Sequence, residues 1–168
     1  MIAADWVGYL EHQTPDKLWH FTANYGKGGY TIFADMIAQE QRINLQGLPW
    51  CATFVHAMIN RPDILGKAHP GTRVLARRMK RKGLWREKDY VPKKGDLMFL
   101  ANFKRIDHIA IVESADEKTV TTIDGNTHDP KGRFTFEEGG AVERCVRDKT
   151  DKRIVGYASI GHLYEINQ

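Results

Sequence analysis

The hydrophobic pattern of this chain changes period once, near Pro92, and that change limits the fold more than any other feature. Before it, apolar residues recur at helical spacing. Ile2, Trp6, Tyr9 and Leu10 share one face, and Tyr30, Phe33 and Ile37, with Met36 beside them, share another. Pro49 favours a helix start just after it. The apolar face of Trp50, Phe54, Val55, Met58 and Ile59 then runs to Asn60-Arg61-Pro62, where proline forbids continuation. Thr72 is the expected cap of a further helix that stops at Gly83. After Pro92 the period is two, in short runs at residues 97–100, 108–113, 119–124, 142–146 and 154–160. Residues 114–118 join two of these runs tightly enough to predict an antiparallel pair. Helices first and strands afterwards predict an α+β domain, with N-terminal helices packed on a C-terminal antiparallel sheet. At 168 residues without an internal repeat or linker, the chain is expected to form a single domain over 1–168.

Charge narrows the partners. The 25 basic and 21 acidic side chains leave +4, and part of the excess sits in one run, Arg73, Arg77, Arg78, Lys80, Arg81 and Lys82. The ordinary reading of such a run is a solvated helix face. The functional one is attraction to a polyanion. No aromatic-interleaved basic motif or zinc-finger spacing supports nucleic acid, whereas an anionic cell-wall polymer satisfies the same electrostatics. The glycine-rich loop Asn24-Tyr25-Gly26-Lys27-Gly28-Gly29 lacks the ending of a phosphate-binding loop and follows no strand. Two cysteines, Cys51 and Cys145, are too few for a disulfide scaffold, although one bridge between them is open. No apolar stretch reaches membrane-spanning length, and Met1 to Trp6 shows no basic region followed by an apolar run. A product made in the cytoplasm, with no transmembrane segment, is expected.

Cys51 carries the chemistry. A cysteine in the first turn of a helix feels the positive end of the macrodipole, which favours the reactive thiolate. The competing reading is a small buried hydrophobe. A nucleophile also needs an imidazole and a group that orients it. Of the seven histidines, His56 lies on the Cys51 helix at a poor angle, and His12, His20, His69, His128 and His162 have no strong local case. His108 opens an apolar strand, where a side chain can face a cleft at the sheet rim. The next strand ends in Ile123-Asp124-Gly125-Asn126-Thr127. Asp124 or Asn126 could stand beside His108 and accept its Nδ1 proton, although Asp-Gly-Asn is also good turn chemistry. Glu113 lies too far along the His108 strand. Asp107 should point to the opposite face.

Four blocks, in order, resemble the CHAP family of cysteine, histidine-dependent amidohydrolases and peptidases, relatives of the NlpC/P60 group within the papain-like class. They are Gly47-Leu48-Pro49-Trp50-Cys51-Ala52-Thr53-Phe54-Val55, Pro92-Lys93-Lys94-Gly95-Asp96-Leu97-Met98-Phe99, Asp107-His108-Ile109-Ala110-Ile111-Val112-Glu113 and Thr122-Ile123-Asp124-Gly125-Asn126-Thr127. Ile154-Val155-Gly156-Tyr157 also looks like the family's last strand. The resemblance implies a papain-like fold, Cys51 as nucleophile, His108 as general base and acid, and Asp124 or Asn126 as its orienting group. Glu is commoner than Asp at the first of those two positions. It also implies an oxyanion hole that includes the Cys51 N–H, with Gln46 as a second donor and Trp50 beside it at the oxyanion and substrate site. No cofactor is expected. Asp5, Glu11 and Asp16 are too scattered to resemble the calcium loop of some members, so no metal is expected either. The implied activity is hydrolysis of an amide in bacterial peptidoglycan by a monomer that reaches the wall through holin-type release or delivery by a phage or secretion machine. The alternatives are the same chemistry on a non-wall amide or isopeptide, and an inactive module that only binds.

Overall fold

The structure is a computed structural model and describes residues 2–131 and 139–164. Helices α1 (Ile32–Gln41), α2 (Cys51–Ile59), α3 (Pro62–Leu65) and α4 (Thr72–Arg81) precede strands β1 (Trp85–Arg86), β2 (Leu97–Asn102), β3 (Arg105–Ala115), β4 (Thr119–Thr127), β5 (Ala141–Asp148) and β6 (Ile154–Ala158). The strands form one antiparallel sheet in the order β1-β6-β2-β3-β4-β5. The expected α+β class, with helices leading and packed on an antiparallel sheet, is what the chain adopts.

Alternation along the strands builds two cores. Leu97, Phe99, Ile109, Ile111 and Ile123 join the helices in the larger cluster. Met98, Leu100, Ala110, Val112 and Val120 form a second cluster, closed by Ile154 and Tyr157. Helix α2 is buried along its whole length, which is why its sequence is apolar nearly all round. It lies on β3 and β4, and the close approach depends on Gly125. A Cβ there would stand 2.5 Å from Phe54 Cβ and 2.6 Å from Phe54 Cγ. Asp124-Gly125-Asn126 is therefore not a turn. It lies inside β4, and its glycine makes room for the nucleophile helix.

Two local expectations differ, and one short strand was not foreseen. The apolar face of Ile2, Trp6, Tyr9 and Leu10 forms only a 3-10 turn at Ala3–Trp6, because Gly8 takes a φ of +92° and turns the chain away. Gly8 and Glu11 then donate to the carbonyls of Val142 and Gly140, so this segment covers the free edge of β5. Strand β1, only two residues long, was too short to show a period. Thr72 is the first residue of α4 rather than its cap. Gly71 holds the cap position without a side-chain hydrogen bond, which leaves the Thr72 hydroxyl free for another neighbour.

Candidate active site

Helix α2 begins at Cys51, and Trp50 in the cap position supplies no side-chain acceptor to its first N–H groups. The start of α2 therefore keeps unsatisfied donors and the positive end of its dipole beside the thiol. His108 and the Ala52 N–H stand close enough to the Cys51 sulfur to lower the pKa of its thiol. The Thr72 hydroxyl lies 3.6 Å from Sγ. Cys51 and His108 open onto one cleft of about 650 Å³, with Asn102, Asp107 and Asn126 on its walls.

Two irregularities in the sheet aim the partners. Between β2 and β3, Leu100 pairs with His108 but Ala101 pairs with Ile106, so Asp107 is an extra residue. Such a bulge breaks strict alternation and re-aims side chains. Asp107 and His108 consequently line the same cleft instead of opposite faces. Between β4 and β5 a second register shift falls between Asp124 and Thr127, with Asn126 in the left-handed region at φ +55°.

His108 Nε2 lies 2.8 Å from Asp124 Oδ2. The nitrogen is Nε2 rather than the expected Nδ1, so Nδ1 is the one left to exchange a proton with the thiol. Asp124 is fully buried and held from its other side by Arg147, whose Nη2 donates to Oδ2 at 2.7 Å and Nη1 to Oδ1 at 3.3 Å. Arg147 Nη1 also donates to the Thr122 hydroxyl, which donates in turn to Asp124 Oδ1. Two cationic neighbours and a hydroxyl offset the burial of this carboxylate, which alone would favour the neutral acid. Its pKa is held well below the ordinary range.

The same logic runs along the line of groups. Burial alone would lower the His108 pKa, but the hydrogen bond to Asp124, followed by the bond and charge of Cys51, raises it to about 9. Burial alone would raise the Cys51 pKa, and the bond and charge of His108, with Thr72 and the Ala52 N–H, reverse that direction. Both shifts favour a thiolate–imidazolium pair. Cys145 is the contrast: burial and the Asp124 charge push its thiol up to about 11. Both cysteines are free thiols, so no bridge joins them. Among the described residues, no cluster of three His, Cys, Asp or Glu side chains is arranged to hold a metal ion.

The other expected residues lie apart. Gln46 accepts from the Thr31 N–H and donates to the Thr31 carbonyl, both at 2.9 Å. Its amide is committed to holding the start of α1, not aimed at the thiol as an oxyanion donor. Trp50 is 1% exposed, stacks on Phe33 and donates its indole N–H to Glu11 at 2.8 Å. It belongs to the core that seats α2, not to the oxyanion and substrate site. Asn126 lies on the cleft wall, while the hydrogen bond to His108 comes from Asp124. Arg147 and Thr72 were missed. Arg147 stands on an alternating strand that reads as a solvated edge, and Thr72 reads as a cap, so nothing local marked either one.

A buried carboxylate, an imidazole and a thiol at a helix start, set on an α+β sheet, define a cysteine hydrolase type of site. The CHAP domain family model matches residues 43–126, half of the chain, and the protein belongs to this family of cysteine- and histidine-dependent amidohydrolases and peptidases. Among solved structures, one similar chain is described as the crystal structure of Ly7917. It is 15% identical with a TM-score of 0.32, and the match covers 47% of this chain and 32% of that one. This chain thus matches about a third of that chain's length. No curated protein matches.

Proposed function

We propose that this protein hydrolyses an amide bond of bacterial peptidoglycan, either between muramic acid and L-alanine or within the stem or cross-bridge peptide. The observation that carries the reading is the Cys51–His108–Asp124 line opening on a cleft at the uncapped start of α2. Attack by the Cys51 thiolate on the amide carbon forms the C–S bond and places negative charge on the carbonyl oxygen. In this reading the Cys51 backbone N–H, at the positive end of α2, stabilises that oxygen. His108 gives its proton to the leaving amine as the C–N bond breaks, leaving a thioacyl enzyme. Water then loses a proton to His108 and attacks the thioester. The C–S bond breaks, and the thiolate–imidazolium pair is restored. Asp124 keeps the ring oriented and stabilises its charge, and Arg147 keeps Asp124 ionised.

In this reading the enzyme acts as a monomer on the wall, aided by attraction of its basic surface to anionic wall polymers, after release through a membrane lesion or delivery by a phage or secretion machine. No described helix is long and apolar enough to cross a membrane. Digestion of purified walls from several bacteria, with mass spectrometry of the released ends, tests the proposal. New N-terminal L-alanine identifies an amidase, and cleavage inside the peptide an endopeptidase. Activity that persists in Cys51→Ala would sink the mechanism.

A further inference from the structure

The basic residues of α4 divide into two sets. Arg78 donates to the carbonyls of Leu65 and Lys67, and Lys82 to those of Asp63 and Ile64, so these two tie α4 to α3 and the loop after it. Arg73, Arg77 and Lys80 do something else. They line an open groove of about 600 Å³ whose other wall is the β2–β3 hairpin, bearing Lys104 and Arg105. All five are exposed, and among the described residues no acidic side chain lines the groove. Among the described residues, none of Arg73, Arg77, Lys104 or Arg105 makes a side-chain hydrogen bond or ion pair, while Lys80 lies 4.4 Å from the centre of the Trp85 ring. Five like charges held around one groove repel one another, and an anionic ligand lying there would relieve that repulsion.

The groove leads to the thiol. It shares Gly71, Arg73, Arg105 and Ile106 with an adjoining cleft of about 460 Å³ that contains Cys51. Phe103, 99% exposed and in the left-handed region at φ +55°, lines the Cys51 cleft beside Arg105. Its backbone conformation follows from the tight β2–β3 turn, which holds the ring out into solvent. A chain lying in the groove could therefore run on past Arg73 and Arg105 and present a covalently connected amide to Cys51.

We propose that this groove binds the acidic part of the substrate: a peptide whose free carboxylates lie a few residues from the amide cut at Cys51. The assignment rests on Cys51 being an amide-cleaving nucleophile, since that is what makes the ligand a peptide. Guanidinium groups match carboxylates bidentately, and an extended peptide at about 3.3 Å per residue spans such a groove in a few residues. Specificity then lies in substrate charge. Amidation of the carboxylates weakens binding without touching the scissile bond.

The test uses the full chain carrying Cys51→Ala, which binds without turnover, and follows fluorescence anisotropy of a labelled peptide bearing three glutamates. The comparison ligands are the same peptide with three glutamines and a polyphosphate of similar charge. At low salt the glutamate peptide should bind at least about tenfold more tightly than the glutamine peptide, with the preference fading as salt shortens the Debye length. Arg77→Glu with Lys104→Glu should abolish that preference. Arg81→Glu with Lys88→Glu makes the same change in net charge outside the groove and should leave it. In enzyme retaining Cys51, the groove pair should raise KM for the acidic substrate with kcat unchanged. Equal binding of the glutamine peptide, an equal loss in the control pair, or tighter binding of polyphosphate than of the glutamate peptide would each overturn the proposal. Loss of wall hydrolysis with the binding preference intact would instead count against the hydrolase reading alone.

Discussion

Replacing Asp124 by Asn tests the electrostatic line through the site. The rise of the His108 pKa from an ordinary 6.5 to about 9 corresponds to roughly 3 kcal/mol in favour of the imidazolium. The Asp124 hydrogen bond is the largest support for that rise, with the bond and charge of Cys51 and the charge of Asp124 adding to it. Asn retains an oxygen to accept the Nε2 proton but removes the charge. It also strips Arg147 of its anion, and that guanidinium side chain is only 15% exposed beside the ring. Both effects act against the imidazolium, so the His108 pKa should fall by more than about 1 pH unit. Cys51 loses its counter-charge in turn, and its pKa should rise. The assay is the rate of Cys51 alkylation by iodoacetamide from about pH 5 to about pH 10, measured well below the melting transition, because it reports thiolate without any assumption about substrate. Near neutrality the Asp124→Asn rate should drop on the order of tenfold, and amide hydrolysis by on the order of a hundredfold. The variant should also lose about 3 kcal/mol of stability, the typical cost of leaving one member of a buried ion pair alone. An alkylation profile that superimposes on that of the wild type would refute the argument.

Three further outcomes are expected. In the wild type, Cys51 should be alkylated well before Cys145 near neutral pH, because the Cys51 pKa is lowered and that of Cys145 is raised to about 11; peptide mapping of the labelled protein reads the order. Gly125→Ala should cost about 1–3 kcal/mol in chemical denaturation, and it should slow Cys51 alkylation as well, since its Cβ would collide with Phe54 on α2. Burial, then the charges of Arg78 and His69, lowers the His56 pKa to about 4. The unfolded chain takes that proton near pH 6.5, so the stabilisation from a neutral His56 is complete above that pH and is lost on acidification towards pH 4, by up to roughly 3 kcal/mol. His56→Gln should flatten the fall in denaturation midpoint between these limits, and an unchanged slope would assign the acid loss elsewhere.

The order of periods along the chain decided the class of fold, because each period reports a local geometry that burial on one side enforces. Sequence also decided the placement of Cys51 at a helix start, since Pro49 and the apolar face after it act within a few residues. His108 and Asp124 were legible as members of neighbouring strands, but alternation misplaced Asp107, because a bulge depends on how two strands pair. Asp124 and Asn126 were equal candidates in sequence; pairing with β5 brought Arg147 and Thr122 to Asp124 and left Asn126 on the cleft wall. Gln46 and Trp50 stood near the thiol in sequence yet point to Thr31 and Glu11, 15 and 39 residues away. Gly125 looked like a turn residue until α2 came down on it. What the sequence determined were properties set by each residue's own neighbours along the chain. What tertiary structure decided were the partners, because a hydrogen bond or a pKa depends on distances across the fold that no local pattern encodes.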